Sequence, residues 1–329
     1  MLKFTECEFL PASYRGGERI ICFRSVADIL TGLFGKLAET KEVTVSYAAF
    51  ALSPETVKEA LAASADGSRV VIGEKENPLA VIEGKDPEKT VPGYTVHSAA
   101  DLCDWVDIYQ KRILGDFADR GVLFETFDGV ILHPDAKIGE GTLIGAGTQI
   151  AAGVSVGKNC KIGPRCYLEN CSVGDETVLI DTRVVEAVID DHVKIGPYCN
   201  IRPKAHICSG CKIGDFVEVK NSTLGRDTHA SHLTYIGDSD VGERVNFGCG
   251  VVTANYDGFN KFRTVIGSDA FIGCNTNLVA PVKIGDGAFT ACGSTITDEV
   301  ANDSLGIARA RQVNKDGWAA HFREGKKKK

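Results

Sequence analysis

The chain has 329 residues, with 37 basic against 44 acidic side chains for a formal charge of −7, 43% hydrophobic residues, 36 glycines, 12 cysteines and one methionine. That length suits two domains or one long repeat array, the mild acidity offers no general polyanion-binding surface and argues against a nucleic-acid partner, and the apolar share excludes wholesale disorder. No run approaches the roughly 20 apolar residues of a membrane-spanning helix, and the start MLKFTECEFL lacks a signal peptide's basic and apolar regions, so the expected location is the cytoplasm, with thiols rather than disulfides.

Residues 1–95 read as a small α/β unit. Ser25 with Asp28 caps a helix running through Leu33-Phe34, Val43 to Ala49 is strand-like, Ser53-Pro54 opens a second helix, and Val70–Gly73 and Leu79–Ile82 are short strands. Gly16-Gly17 stands alone, and neither a P-loop nor G-x-G-x-x-G is present. Residues 99–120 follow with apolar positions Leu102, Trp105, Val106, Tyr109, Ile113 and Phe117 at i, i+3, i+4 spacing. Ser98 with Asp101 starts this linker helix and Gly121 stops it.

From about residue 130 a six-residue period takes over. Aliphatic residues fall at Ile138, Ile144, Ile150, Val156, Ile162 and Leu168, resume at Ile189 through Ile195, Ile201, Ile207, Ile213, Val219, Leu224, Ala230, Ile236, Val241 and Phe247, with five-residue slips at three points in this second stretch or its entry, and return from Ile266 to Ile296. A strict period of six cannot hold one face of an α-helix. It fits a triangular parallel β-helix in which three hexapeptides make one coil, the aliphatic residue points to the axis, and the next residue, often Gly, turns the corner. The fourth residue after the aliphatic is small, as at Thr142, Thr148, Val154, Cys160, Cys166, Cys199 and Cys211, which makes those cysteines apolar filler. Cys208 and Cys211 form the sequence's C-x-x-C, but they face different ways in this frame and lack a second ligand pair, so no metal is expected there. The division is therefore 1–95, a linker-helix region 96–127, a β-helix 128–310 and a tail 311–329, in which Lys326–Lys329 are expected to be a solvated, disordered end.

Several residues carry chemistry. Arg202 and Lys220 are one coil apart, each just after a core aliphatic, and are either two solvated cations or a pair that shares an anion. His232 lies in SHLTY, two-thirds of a coil beyond Lys220, with Glu218 two residues before that lysine. It is a structural histidine or a general base. Zinc would need three convergent ligands, and His206 and His229 do not share its column. TANYDGFNKFRTV, from Thr253 to Val265, breaks the hexapeptide frame, either as a tolerated insertion or as a loop presenting binding groups.

The segments NIRPKA, GDFVEVKNSTLG, SHLTYIGDSDVGERVNFGCG, ANYDGFNKF, LVAPVKIGDGA, GIAR and KDGW, spread over about residues 96–318, resemble the acetyltransferase half of the bifunctional enzymes that make UDP-N-acetylglucosamine. Those enzymes join glucosamine-1-phosphate N-acetyltransferase to N-acetylglucosamine-1-phosphate uridyltransferase. The resemblance implies a left-handed β-helix, an exception to the usual crossover hand. It further implies acetyl-CoA as co-substrate with no metal needed for acetyl transfer, small-molecule partners, and a homotrimer with sites between subunits. Position by position, Arg202, Lys220, Tyr235 and Lys261 match residues that bind the sugar phosphate. His232 matches the catalytic base, and Asn246 and Asn255 match residues holding the amino sugar and acetyl group. Tyr256 and Arg309 match coenzyme A contacts, as do Cys249, Cys274 and Cys292, which replace the family's usual Ala or Ser. These three form one column and either leave room for the pantetheine arm, supply a thiolate that takes the acetyl group, or gate the site by oxidation. The family's N-terminal Gly-rich L-x-A-G-x-G-T-R-M type loop is missing, so residues 1–95 read as a truncated nucleotidyltransferase remnant without uridyltransferase activity. Alternatives are an acyltransferase for another amino sugar phosphate, or a scaffold for a separate uridyltransferase.

Overall fold

The computed structural model describes residues 1–5, 20–21, 24–76, 78–94 and 98–327. It divides into two compact units, Met1–Gly210 and Cys211–Lys329.

The first unit begins with a mixed sheet of β1 (Leu2–Thr5), β2 (Val43–Ser46), β3 (Ser68–Gly73), β4 (Pro78–Ile82) and β5 (Lys85–Val91), in the order β1-β2-β4-β3-β5. β1 and β2 are parallel, as are β3 and β5, while β4 runs antiparallel to both its neighbours. Helix α1 (Val26–Ala38) begins where the Ser25 hydroxyl accepts from the Asp28 N–H. Helix α2 (Pro54–Ala63) begins in the same way at Ser53, which caps Thr56. The strand expected over Val43–Ala49 ends early, at Ser46. There the serine hydroxyl accepts from the Ala48 N–H, and Tyr47–Ala51 closes into a buried 3₁₀ turn instead of continuing the ladder. The Gly16-Gly17 pair lies outside the described residues.

Helix α3 (Ala99–Asp119) has the expected bounds, with Ser98 accepting from the Asp101 N–H and Gly121 in the left-handed region at φ 86°. Its Tyr109 ring meets Phe50 edge-on at 6.0 Å. Arg112 donates to the carbonyls of Ala51 and Leu52 at 3.1 and 3.0 Å, tying the helix to the 3₁₀ turn.

Beyond Leu123 the first unit is built of coils carrying three parallel ladders. One stacks Leu123, Leu143, Lys161, Val178 and Lys194; the next stacks Ile131, Gln149, Tyr167, Arg183 and Asn200; the third stacks Lys137, Ser155, Ser172, Val188 and His206. The second unit repeats the plan, for example with Glu218, Tyr235, Val252, Asn277 and Thr295 in one ladder. The hexapeptide aliphatics named from the sequence are buried, with Ile138 half-buried. Each fully buried one contributes about 1.5–3 kcal/mol over an exposed side chain.

Two features differ from expectation. The coils do not pause between Leu168 and Ile189. Val173, Leu179 and Val184 are buried there, and the six-residue spacing shortens to five across 168–173, 179–184 and 184–189. The corner glycines also serve another purpose. Gly139, the residue after the aliphatic, keeps an ordinary φ, but a Cβ there would lie 2.6 Å from the Gly157 backbone of the next coil. The left-handed residue comes two positions later, as Gly141, Gly147 and Gly153 and then as Asn159 and Arg165, so glycine there is optional.

The tail contains helix α4 (Trp318–Lys327), with Trp318 stacked on Phe322 at 5.0 Å; Lys328 and Lys329 lie outside the described residues. No helix among the described residues is long and apolar enough to cross a membrane.

Candidate functional site

Most of the residues singled out lie on two neighbouring ladders of the second unit and the corner that joins them. Val219 is buried, so by strand alternation Glu218 and Lys220 project outward, Glu218 opposite Tyr235 and Lys220 opposite Gly237. Asp238 donates its N–H to the Lys220 carbonyl at 3.0 Å and sits at the next corner, left-handed at φ 48°. Asp238 is buried, and its carboxylate accepts from the side-chain amides of Asn221 and Asn255. Asn255, itself buried, therefore pins one end of the loop that leaves the hexapeptide frame, and its carbonyl accepts from Phe262 N–H at 2.9 Å.

The other end is held by Arg263, which forks onto the Asp240 carboxylate, with one contact at 2.8 Å, and reaches the Asn221 carbonyl at 3.3 Å. The Arg263 hydrogen bonds hold the Asp240 carboxyl below its ordinary value and raise the guanidinium. Between these anchors Tyr256 bridges Lys261 through the backbone, and the Tyr256 hydroxyl donates to the Gly258 carbonyl at 2.5 Å. Phe259 at the tip is 91% exposed. Sequence reasoning located the loop but missed Asn221, Asp238, Asp240 and Arg263, which fix it. The available signal was Asp238-Ser-Asp240, one coil before the excursion.

His232 lies on the neighbouring ladder. It ends the strand His229–His232, opposite Asp215, is exposed, and accepts a 2.7 Å hydrogen bond from Thr234 Oγ1 on its carbonyl. Leu233, left-handed at φ 46°, turns the chain from this ladder to Tyr235. The register Ala230, Phe247, Ile272, Thr290 places the residues two further on, His232, Cys249, Cys274 and Cys292, in one column with a rung spacing of about 4.8 Å. Cys249 is half-buried, while Cys274 and Cys292 are exposed. That His232 heads the cysteine column was not foreseen. Asn246 is half-buried on the same ladder, between His229 and Phe271. The exposed Arg309 passes Gly293, its Cδ 3.8 Å from where a Cβ would stand there, and so neighbours Cys292. Arg202 belongs to the first unit, where it follows the buried Ile201 and is half-buried.

The corner thus presents one rim with a cation, a carboxylate and a phenol, and another with an imidazole above a stack of small side chains. Buried thiols elsewhere are of a different kind. Burial pushes Cys166 up to about 11 and Cys171 up to about 12, which leaves them protonated near neutral pH.

Coils of this spacing define the hexapeptide-repeat class, and the bacterial transferase hexapeptide (six repeats) model matches residues 135–170, 186–221 and 263–298. Over part of its length the chain is similar to bifunctional GlmU proteins. It is 49% identical over 207 residues to Bifunctional protein GlmU of Caldicellulosiruptor saccharolyticus, covering 63% of this chain and 45% of that protein. The protein of the same name from Clostridium perfringens is 46% identical over 249 residues, covering 76% and 54%, and that from Staphylococcus haemolyticus 42% over 243 residues, covering 74% and 53%. The chain spans about half the length of these relatives.

Proposed function

We propose that this chain is an acetyl-CoA-dependent N-acetyltransferase acting on glucosamine 1-phosphate. The observation that carries the reading is the match to GlmU proteins at 42–49% identity, joined to a ladder with a histidine before one of its corners and an anchored loop at the next. In the proposed reaction Arg202, Lys220, Tyr235 and Lys261 hold the sugar phosphate, with Glu218 beside Lys220 aiding its orientation. His232 removes a proton from the glucosamine nitrogen as that nitrogen attacks the acetyl-CoA thioester carbonyl. The tetrahedral adduct collapses to the amide and releases coenzyme A as the thiol. Asn246 orients the amino sugar. Asn255 has two amide N–H groups, and with one on Asp238 the other is available to the developing oxyanion. Tyr256, Arg309 and the Cys249, Cys274, Cys292 column line the coenzyme A arm. Holding both substrates in one site supplies the orientation that a bimolecular encounter lacks. The working form is proposed to be a homotrimer in the cytoplasm, with sites between subunits.

The test is release of coenzyme A thiol from acetyl-CoA with glucosamine 1-phosphate. Replacing His232 by Ala is expected to lower kcat by about 10²–10⁴-fold. Because this chain lacks the Gly-rich nucleotide loop, no UTP-dependent pyrophosphate release is expected in the parallel assay. Turnover unaffected by His232→Ala removes the general-base assignment. Absence of turnover in a folded trimer directs the search to another amino sugar phosphate or to a scaffolding role.

A further inference from the structure

In the first unit, a separate set of side chains converges on the ladder that ends at His206. His206 and Cys208 flank the buried Ile207 on one coil, so strand alternation sends both outward on the same face. Ile189 pairs with Ile207 on the preceding coil, which sets Asp190 opposite Cys208, and the Asp190 N–H donates to the Ile207 carbonyl at 2.9 Å. His206 Nε2 is 3.0 Å from Asp190 Oδ1 and 3.9 Å from Cys208 Sγ, and the three potential ligand atoms all lie within 4.8 Å of one another. The His206 and Asp190 side chains are 42% and 36% exposed, so the cluster is open to solvent.

We propose that Asp190, His206 and Cys208 form a binding site for a zinc-class divalent cation that clips two successive coils together. The donor set, one imidazole nitrogen, one thiolate and one carboxylate oxygen, is that of a borderline-soft ion; magnesium and calcium favour oxygen ligands alone. With bond lengths of about 2.05 Å to nitrogen, 2.1 Å to oxygen and 2.3 Å to sulfur, the observed separations correspond to angles at the metal of about 93° for N–M–O and about 127° for N–M–S, either side of tetrahedral. Water completes the fourth position. One imidazole N–H serves one acceptor, whereas here a carboxylate and a sulfur both approach the same nitrogen, an arrangement in which a cation replaces the proton. On binding, the Cys208 thiol releases its proton to solvent, and His206 binds as neutral imidazole through Nε2 with its proton on Nδ1. Affinity therefore falls as pH falls. The proposed site does not use the C-x-x-C spacing, and it departs from the expectation that Cys208 holds no metal. Cys208 works with residues two before it and one coil back, not with Cys211.

The experiment uses the full chain, stripped with a chelator under reducing conditions and titrated with Zn²⁺ against a chromophoric competitor, then with Co²⁺ for its electronic spectrum. One high-affinity equivalent per chain is expected, with a thiolate-to-cobalt charge-transfer band. Cys208→Ser is expected to abolish that band and weaken zinc binding roughly 100-fold or more, and His206→Gln and Asp190→Asn to weaken it at least about tenfold. Cys103→Ser, at an exposed thiol on α3, is expected to change nothing. Far-UV circular dichroism of the metal-stripped variants checks that the coils remain. If Cys208→Ser disturbs them, the loss of zinc binding in His206→Gln decides. A cobalt spectrum without the thiolate band, a band retained in Cys208→Ser, or zinc affinity unchanged by His206→Gln overturns the proposal.

Discussion

Cysteine occupies two opposite kinds of position in the coils. In the first, Cys160, Cys166 and Cys199 stand fourth after the core aliphatic and are buried in the coil interior. In the second, Cys249, Cys274 and Cys292 stand second after it and face outward, half-buried or exposed. The side chain is the same, and its place within the hexapeptide decides whether it is filler or available for chemistry. An interior thiol stacks in a space already filled by its neighbours, and burial disfavours its thiolate. An outward thiol meets solvent and its rung neighbours, and in this column the first neighbour is His232.

The sharpest way to break the comparison is to add bulk at one position of each kind. Cys166→Leu forces extra methyl groups into a close-packed coil and is expected to cost about 1–3 kcal/mol. Cys292→Leu has solvent to expand into and should stay within about 0.5 kcal/mol. Urea midpoints of the two variants, measured with reductant present, check both. Equal losses would mean that the interior and outward positions are not distinct in packing.

A second effect, confined to alkaline pH, comes from the interior thiols alone. Cys166 and Cys171 titrate at about 11 and about 12 in the folded chain against an ordinary value of 9.0. A raised thiol pKa means that the folded state holds the proton more tightly than the unfolded state. Their stabilising contribution is thus complete below pH 9 and is lost as pH climbs through the folded values. Unfolding free energies from urea titrations should fall across that window by up to about 1.4 kcal/mol per pH unit for each thiol. Cys171→Ala should flatten the fall. A slope unchanged in that variant would remove Cys171 as its source.

The same contrast shows how much of the molecule the sequence made legible. A period of six with a small fourth residue identifies the coil and its filling, because both follow from one repeated steric requirement. The helix ends at Ser25, Ser53, Ser98 and Gly121 were readable because each cap is local. Five-residue slips were legible, but the coils that continue through Val173, Leu179 and Val184, where one residue is dropped at a corner and the aliphatic rhythm shifts phase, were not. The Asn221, Asp238, Asn255 anchor and the Asp190, His206, Cys208 cluster were also missed. Each depends on register between coils, which a five-residue slip changes without any mark in local composition. His232 and Lys220 were named from their motifs, yet their placement on different rims of a corner follows from the left-handed turn at Leu233.

The smallest expected effect concerns the outward column itself. If Cys249, Cys274 and Cys292 serve by being small, Cys274→Ser removes the sulfur and keeps the space, so kcat should stay within about twofold of the parent, a barrier change of about 0.4 kcal/mol or less. If instead a thiolate at Cys274 accepts the acetyl group before the sugar amine does, serine, a far weaker nucleophile near neutral pH, should cost orders of magnitude. Mass spectrometry of the parent quenched with acetyl-CoA alone separates the cases, since a covalent route leaves one acetyl group on the column and direct attack leaves none. Iodoacetamide adds an independent measure of access: Cys274 and Cys292 should label in the folded chain and Cys166 only after denaturation. Rapid labelling of Cys274 together with an undiminished Cys274→Ser rate would show an accessible thiol that acetyl transfer does not use, leaving size as the property that matters at this position.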